Sequence, residues 1–437
     1  MNEITFKNAL FISYYFPPSG GGGVKRPTKF VKYLHMHHWR VTGFTVPVDS
    51  YFLLDDKFIH ELPRDTEIVR VRTLISKKQT DQFRIKSLKG TDVTSENIKG
   101  LKNKILWKIR DWFCIPDVQI GWIPFALPVA IRTIKRKKID VIYTKCPPYS
   151  VLLLGALIKF FTRVPWVIDL ADPWTTATYT YFPNPTLKRV NEWLEKMVFK
   201  YADCIVTVTD GIVADYQLKY PRLNFNKFHV IPNGFDVDDH KMIEVAMSTK
   251  FTISHTGRID LAGRDPRNFL EACKRFIQLR PESRDHLHIV FVGGGGDYWQ
   301  QIVNEKGLAD LTTFTGNVSH EKCLTYQASS DLLLLIGGGS KYEQTGKIFE
   351  YLVADKPILA LIRSDAPAAQ IISETNSGLV IPEDDIQKIV DAINTFYQLY
   401  DLKKPLWTGR NQTAIEKYDW QNHGRKLADI FNGLITK

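Results

Sequence analysis

At 437 residues, with 44% hydrophobic and 24% charged side chains, the chain has the composition of a soluble globular protein and the length of two domains plus an appended segment. Its longest apolar run, Val151 to Ile158, is broken by Lys159 and is too short to cross a bilayer. The net charge of +11 suits polyanionic partners, whether nucleotide phosphates, anionic lipid headgroups or nucleic acid, and alone does not choose among them. Five cysteines (Cys114, Cys146, Cys204, Cys273, Cys323) stand singly and in odd number. That pattern predicts buried thiols in a reducing compartment and argues against a disulfide frame or a zinc site. The first residues carry Glu3 and Lys7, and the apolar run after them ends in Tyr14-Tyr-Phe-Pro-Pro without a small-residue cleavage site, so a cytoplasmic protein is expected.

The apolar stretch Ala9 to Ser13 predicts a first strand, which runs into a loop with four glycines, Gly20 to Gly23, and then a helix with Pro27 in its first turn. Glycines between a first strand and a first helix let backbone approach a phosphate or sugar closely, with helix N–H groups aimed at it; the alternative is a flexible connector. The spacing matches neither the GxGxxG dinucleotide pattern nor the P-loop pattern. Arg40 to Val46 and Glu67 to Val71 read as the next strands.

Between Lys77 and Trp122 the pattern changes. From Leu101 to Phe113, Lys102, Lys104, Lys108 and Arg110 surround an apolar stripe with Trp107 and Trp112. Two readings stand side by side: an interfacial helix on an anionic membrane, or a surface helix whose aromatics enter the domain core. Regular α/β alternation follows, with strands at Ile139 to Thr144, Pro165 to Leu170, Cys204 to Val208 and Lys227 to Ile231, and it predicts right-handed βαβ units in a mostly parallel sheet. Two stiff loops at strand ends, Cys146-Pro-Pro-Tyr-Ser150 and Asp169-Leu-Ala-Asp-Pro-Trp174, lie where such sheets meet ligands.

A polar segment to about Lys250 reads as a linker, and Asp236-Val-Asp238 within it as turn rather than metal site. A second series begins with strand Phe251 to Thr256 and continues through strands His286 to Val292, Leu311 to Thr315 and Asp331 to Ile336. Two glycine runs, Gly293 to Gly296 and Gly337 to Gly339, follow strands of this series. The second leads to a loop with Lys341 and Glu343, a short helix from about Thr345 to Ala354 carrying Lys347 and Glu350, and an apolar strand Pro357 to Leu361. Strand, glycine loop, charged helix start and strand together form the edge at which an open α/β sheet presents polar groups to a nucleotide. The tail, Trp407 to Phe431, reads as helical.

These landmarks resemble, over nearly the whole chain, the retaining, nucleotide-sugar-dependent GT-B glycosyltransferases of family 4. The segments that carry the resemblance are Tyr14-Tyr-Phe-Pro-Pro-Ser-Gly-Gly-Gly, Tyr143-Thr-Lys-Cys-Pro-Pro, Ile168-Asp-Leu-Ala-Asp-Pro-Trp174, Val230-Ile-Pro-Asn-Gly-Phe-Asp236, Thr256-Gly-Arg258, Phe291-Val-Gly-Gly-Gly and Gly346-Lys-Ile-Phe-Glu-Tyr-Leu352. The resemblance implies two facing Rossmann-like parallel-sheet domains, 1–240 for the acceptor and 241–405 for the donor, with C-terminal helices in 406–437 returning to the first domain. It implies transfer of a sugar from a nucleoside-diphosphate-sugar to a lipid-linked or membrane-proximal glycan in bacterial surface polysaccharide or glycolipid synthesis. The protein would be cytoplasmic, with a peripheral place at the inner face of the plasma membrane if the basic aromatic stretch is interfacial. Neither a cofactor, a metal nor nucleic acid is expected. A 2-epimerase of the same fold and a non-catalytic nucleotide-binding scaffold are the alternatives.

The same resemblance proposes roles. Arg258 and Arg264 stand where the family's Arg and Lys stabilise the leaving phosphate, the second as arginine in place of lysine. Glu350 corresponds to the glutamate that binds the donor ribose. Its partner glutamate, eight residues earlier, is replaced by Tyr342, with Glu343 one residue on as the candidate for the sugar. Lys347 is expected on a phosphate oxygen, with a helix-surface salt bridge to Glu350 as the alternative. Gly21, Gly22, Gly23 and Gly294 are expected against the donor, and Pro148 and Tyr149 on the acceptor side. Asp172, beside the position where many relatives carry histidine and this chain carries Ala171, is the candidate for orienting the acceptor hydroxyl.

Overall fold

The structure, a computed structural model, describes residues 6–74, 114–176, 182, 184–240, 248–261, 263–294, 296–337 and 344–436. Glu343, with Tyr342 beside it, and the basic aromatic stretch 101–113 lie outside the described residues. The chain divides into two compact units, one of residues 1–232 and 420–437 and the other of residues 233–419.

Among the described residues the first unit holds seven parallel strands: β1 Lys7–Ser13, β2 Trp39–Thr45, β3 Glu67–Arg70, β4 Val141–Cys146, β5 Trp166–Leu170, β6 Cys204–Thr207 and β7 Phe228–Val230. Their order across the sheet is β3-β2-β1-β4-β5-β6-β7. Chain order reverses between β1 and β4, so the loops that leave their carboxyl ends diverge and open a crevice there. Both central strands are buried on both faces, hence the apolar stretches Ala9–Ile12 and Val141–Tyr143 within them. The core sets Phe11, Phe30, Leu34, Trp39 and Tyr143 against Trp420, Leu427 and Phe431 of the helix Trp420–Ile435. That helix lies on the helix Gly22–Met36 so closely that a Cβ on Gly424 would stand 2.4 Å from Tyr33 Cβ. The helix Ile123–Lys137 has no counterpart in the sequence reading: Pro124 at its start and Pro128 within its first turns disguise it.

Among the described residues the second unit holds six parallel strands: β8 Phe251–Thr256, β9 Leu287–Val292, β10 Thr312–Phe314, β11 Leu332–Ile336, β12 Ile358–Leu361 and β13 Gly378–Ile381. Their order, β10-β9-β8-β11-β12-β13, reverses between β8 and β11. One face packs on the helices Arg267–Leu279 and Ile386–Asp401 through Phe269, Phe276, Ile393 and Phe396. The other is covered by the helices Gly346–Val353 and Pro367–Thr375 through Ile348, Phe349, Leu352 and Ile371. Residues 406–419, including the short helix Gln412–Glu416, stay with this unit, and only the helix Trp420–Ile435 belongs to the first.

Candidate functional site

In the second unit the reversal point lies between the loop after β8, which carries Arg258 and Arg264, and the helix Gly346–Val353 that follows β11. Thr345 starts that helix by accepting a hydrogen bond from Lys347 N, and its apolar positions Ile348, Phe349, Tyr351 and Leu352 are buried. Three residues of helix place Lys347 and Glu350 on one face, and the Lys347 ammonium sits 2.8 Å from Glu350 Oε2. Gln327, from the helix His320–Ser329, donates to the same carboxylate oxygen at 3.0 Å and to Thr256 Oγ1 at 2.9 Å. Tyr351 OH accepts from Thr256 N at 2.9 Å and donates to Leu334 O at 3.2 Å. These contacts tie the end of β8 to β11 and to both helices, which fixes Glu350 in a buried position with its charge paired.

Electrostatics place Arg264 in the same neighbourhood. His255, buried one residue before the end of β8, has its pKa pushed down to about 4, first by burial and then by the positive charges of Arg264 and Lys347, against the hydrogen bond between Nδ1 and Leu334 O. Its Nε2 lies buried beside the Gly257 turn. Burial also works against the Lys347 ammonium, but the Glu350 carboxylate outweighs it and the net shift is upward, so lysine stays charged. Lys347 and Glu350 therefore make the salt bridge that their spacing allowed, and their charges remain in place.

Arg258 is the exposed member: its side chain is 59% accessible and bonds to Asp260 at 2.9 Å. The loop that bears it is built by close backbone contact. Gly293 has φ 139°, and a Cβ there would lie 2.3 Å from Gly257 O. Ile259 N donates to Gly294 O at 3.3 Å, and Asp260 N to Arg264 O at 3.0 Å, so Gly294, Arg258 and Arg264 share one backbone framework.

Gly21, Gly22 and Gly23 belong to the first unit. They open the helix Gly22–Met36, with Gly21 at φ 91° as its N-cap residue and no side-chain cap. At the ends of β4 and β5 a buried charge cluster stands beside them. Arg26 Nε lies 2.7 Å from Asp169 Oδ2 and 3.0 Å from Oδ1, Tyr143 OH donates to the same carboxylate, and Arg26 Nη1 donates to Pro232 O at 3.0 Å. Burial and the Asp169 charge push the Tyr143 phenol far up, so it remains a donor. Tyr149 stacks on Trp174 with centroids 5.1 Å apart and donates to Pro173 O at 2.9 Å, which joins the loop of Pro148 to the loop of Asp172. Asp172 itself is exposed.

Sequence reasoning assigned no individual role to Arg26, Tyr143, Lys145, Asp169, His255 or Gln327. The signal for Asp169 was present as a lone carboxylate within the apolar run Trp166-Val-Ile-Asp-Leu. Its pairing with a residue 143 positions away was not.

Two parallel sheets of this order, each reversing at its centre, have close counterparts among solved structures. Sucrose-phosphate synthase from Thermosynechococcus elongatus superposes with TM-score 0.63 at 15% identity, over 98% of this chain and 99% of that one. The Anabaena protein HepE, solved with UDP-glucose, gives 0.62 at 14% identity over 98% and 99%. These likenesses define the class, the GT-B fold. The family profile described as Glycosyltransferase Family 4 matches residues 94–239, and that described as Glycosyl transferases group 1 matches residues 250–398, together more than half of the chain. The chain belongs to the GT-B glycosyltransferases of family 4.

Among curated relatives, the GDP-mannose-dependent alpha-(1-6)-phosphatidylinositol monomannoside mannosyltransferase of Mycobacterium tuberculosis is 25% identical over 156 residues, 34% of this chain and 40% of that enzyme. The match thus spans less than half the length of that relative. The alpha-D-kanosaminyltransferase of Streptomyces kanamyceticus is 21% identical over 295 residues, 64% of this chain and 73% of that enzyme.

Proposed function

We propose that the protein is a retaining glycosyltransferase that moves a sugar from a nucleoside-diphosphate-sugar, held by the second unit, to an acceptor held by the first. The observation that carries this reading is the set of cations at the reversal point of the second sheet, with Arg264 and Lys347 both felt at His255, and with the paired carboxylate of Glu350 beside them. Transfer leaves a nucleoside diphosphate behind. Negative charge then grows on the leaving phosphate while positive charge grows on the anomeric carbon, and fixed cations lower the barrier. Arg258 and Arg264 take that phosphate, Lys347 a phosphate oxygen, and Glu350 the ribose hydroxyls, exchanging its present donors for the sugar's. Front-face attack lets the leaving phosphate accept the proton of the acceptor hydroxyl, with Asp172 orienting that hydroxyl and Pro148 and Tyr149 lining its approach.

The acceptor in this reading is a lipid-linked or membrane-proximal glycan of surface polysaccharide or glycolipid synthesis. Two relatives point the same way by their descriptions: the mannosyltransferase acts on a phosphatidylinositol mannoside, and WaaG is a glycosyltransferase involved in lipopolysaccharide biosynthesis. No helix among the described residues is long and apolar enough to cross a membrane. A surface contact is supported by Phe160 and Phe161, which close the helix Ser150–Thr162 with 75% and 58% of their surface exposed.

Calorimetry with a panel of nucleoside diphosphates, followed by donor turnover with wild type and Arg258→Ala, tests the assignment. Tight binding of one nucleotide and acceptor-dependent loss of its sugar donor are expected. Epimerised donor without acceptor would show the epimerase instead, and binding without turnover would show a scaffold.

A further inference from the structure

The helix Pro185–Tyr201 buries two polar side chains one turn apart, Asn191 and Glu195, the second with none of its surface accessible. Both meet the loop that leaves β5 with Asp172. Asn191 Oδ1 accepts from Trp174 Nε1 at 3.2 Å. Glu195 Oε1 accepts from Thr175 N at 3.0 Å and from Tyr216 OH at 2.8 Å, and that hydroxyl in turn accepts from Trp174 N at 2.9 Å. Glu195 Oε2 accepts from Thr175 Oγ1 at 2.5 Å, from Tyr220 OH at 2.7 Å and from the Lys219 ammonium at 2.9 Å. Tyr216 and Lys219 belong to the helix Asp210–Lys219, so two helices grip Trp174 and Thr175. Tyr149, stacked on Trp174, bonds to Pro173 O next to Asp172.

A loop that only had to be covered would be held as well by apolar side chains, since exchanging a buried ion pair for packed hydrocarbon is commonly neutral or stabilising. Glu195 adds direction instead: a satisfied buried network holds one arrangement of the backbone at 174–175 rather than several. Its charge is part of the fit. Thr175 N on one oxygen and the Lys219 ammonium on the other can only donate. A glutamine, whichever way its amide turned, would set its NH2 group against one of them. Burial and the Glu195 charge push the phenols of Tyr216 and Tyr220 up, so both remain donors to it.

We propose that Glu195 is a positioning residue for sugar transfer, holding the segment Asp172 to Thr175 and the Tyr149–Trp174 stack where the acceptor glycan must lie. Wholly buried, it acts through Thr175, Tyr216 and Trp174. The assignment rests on the reading above that the first unit holds the acceptor, and names the residue that sets the acceptor's loop. The donor groups Arg258, Arg264, Lys347 and Glu350 belong to the second unit, so donor binding reports on them and not on Glu195.

The test uses the full chain as wild type, Glu195→Gln, and Glu195→Gln combined with Lys219→Met. It reads hydrogen exchange at the Trp174 and Thr175 amides, calorimetry with nucleoside diphosphates, and transfer to octyl glucoside, octyl galactoside and octyl mannoside as acceptor probes. Glu195→Gln should speed exchange at both amides and lower kcat/KM for the octyl glycoside at least tenfold each, with nucleoside diphosphate affinity within twofold. Removing Lys219 as well lets the glutamine NH2 face the Thr175 and Tyr220 hydroxyls, which can accept. The double variant should therefore recover most of both losses, whereas a merely structural role predicts a further loss from one more missing contact. Thr175→Val, which keeps the volume and loses only the hydroxyl, serves if Glu195→Gln does not fold, with severalfold effects in the same direction. Unchanged exchange or unchanged kcat/KM in Glu195→Gln, or a double variant worse than the single one, overturns the role. So does a fall in nucleoside diphosphate affinity with Glu195→Gln. Wild type that binds a nucleoside diphosphate yet transfers to none of the three glycosides strikes the acceptor reading, and the role in transfer with it. Wild type that binds no nucleoside diphosphate strikes the transferase reading instead, while the exchange result still decides whether Glu195 holds the loop.

Discussion

The two units solve the same topological problem with opposite treatments of charge. Each opens a crevice where strand order reverses, and each places arginine at its rim. In the first, Arg26 is sealed against Asp169 and Tyr143 and ties the helix Gly22–Met36 to β5 and to the carbonyl of Pro232. In the second, Arg258 projects into solvent on a loop held by glycine contacts, paired with Asp260. A buried ion pair is a structural commitment, because removing one partner strands the other. An exposed arginine can change partners at little cost and is suited to a charge that arrives and leaves with substrate.

The contrast can be broken by exchange of the two arginines' roles. Arg26→Met should cost about 3–5 kcal/mol by leaving Asp169 buried and unpaired. The loss should appear in denaturant unfolding followed by tryptophan emission, which the first unit dominates through Trp39, Trp122, Trp166, Trp174 and Trp420. Arg258→Ala should leave stability within about 0.5 kcal/mol but slow sugar transfer by roughly 10²–10³; a stability loss as large as that of Arg26→Met would erase the distinction.

A third effect concerns the second unit alone. His255 has its pKa held near 4, below the ordinary 6.5, so the unfolded chain binds its proton first as acid is added. Its contribution to stability is complete above pH 6.5 and falls away as pH drops toward 4, by roughly 3 kcal/mol. Unfolding midpoints across that window should slope for wild type and flatten in His255→Gln. Smaller again, Glu350→Gln should weaken nucleoside diphosphate binding by about 1.5–3 kcal/mol, the range for hydrogen bonds to a charged group, as read by calorimetry. The least effect belongs to Phe160→Ser with Phe161→Ser, which should leave donor binding and stability unchanged and lower retention on anionic vesicles severalfold; unchanged retention would move the membrane contact elsewhere.

How far the sequence could be read follows from the distance over which each feature acts. β8 reads as Phe251 to Thr256 in sequence and structure alike because Phe251 and Ile253 alternate with Thr252 and Ser254 and the strand ends at Gly257. Lys347 and Glu350 were visible as neighbours because three residues of helix bring them together. The helix Ile123–Lys137 was obscured by proline chemistry that usually ends helices. Arg26 and Asp169 are different: each looks like an isolated charge, and only the sheet order brings them together. His255 read as strand filler, since nothing local shows that two cations surround it. The roles of Arg258, Arg264 and Glu350 came from family resemblance rather than spacing.

The helix Trp420–Ile435 has a consequence for biosynthesis. Its Trp420, Leu427 and Phe431 complete a core whose other members lie before residue 232. During synthesis the first unit's sequence leaves the ribosome with that face of the helix Gly22–Met36 bare. It stays so while nearly two hundred further residues, the entire second unit, are made. The second unit, continuous in sequence, can close first, reversing the usual amino-to-carboxyl order of domain folding. A nascent chain stalled before Trp420 would therefore present an apolar stripe to chaperones.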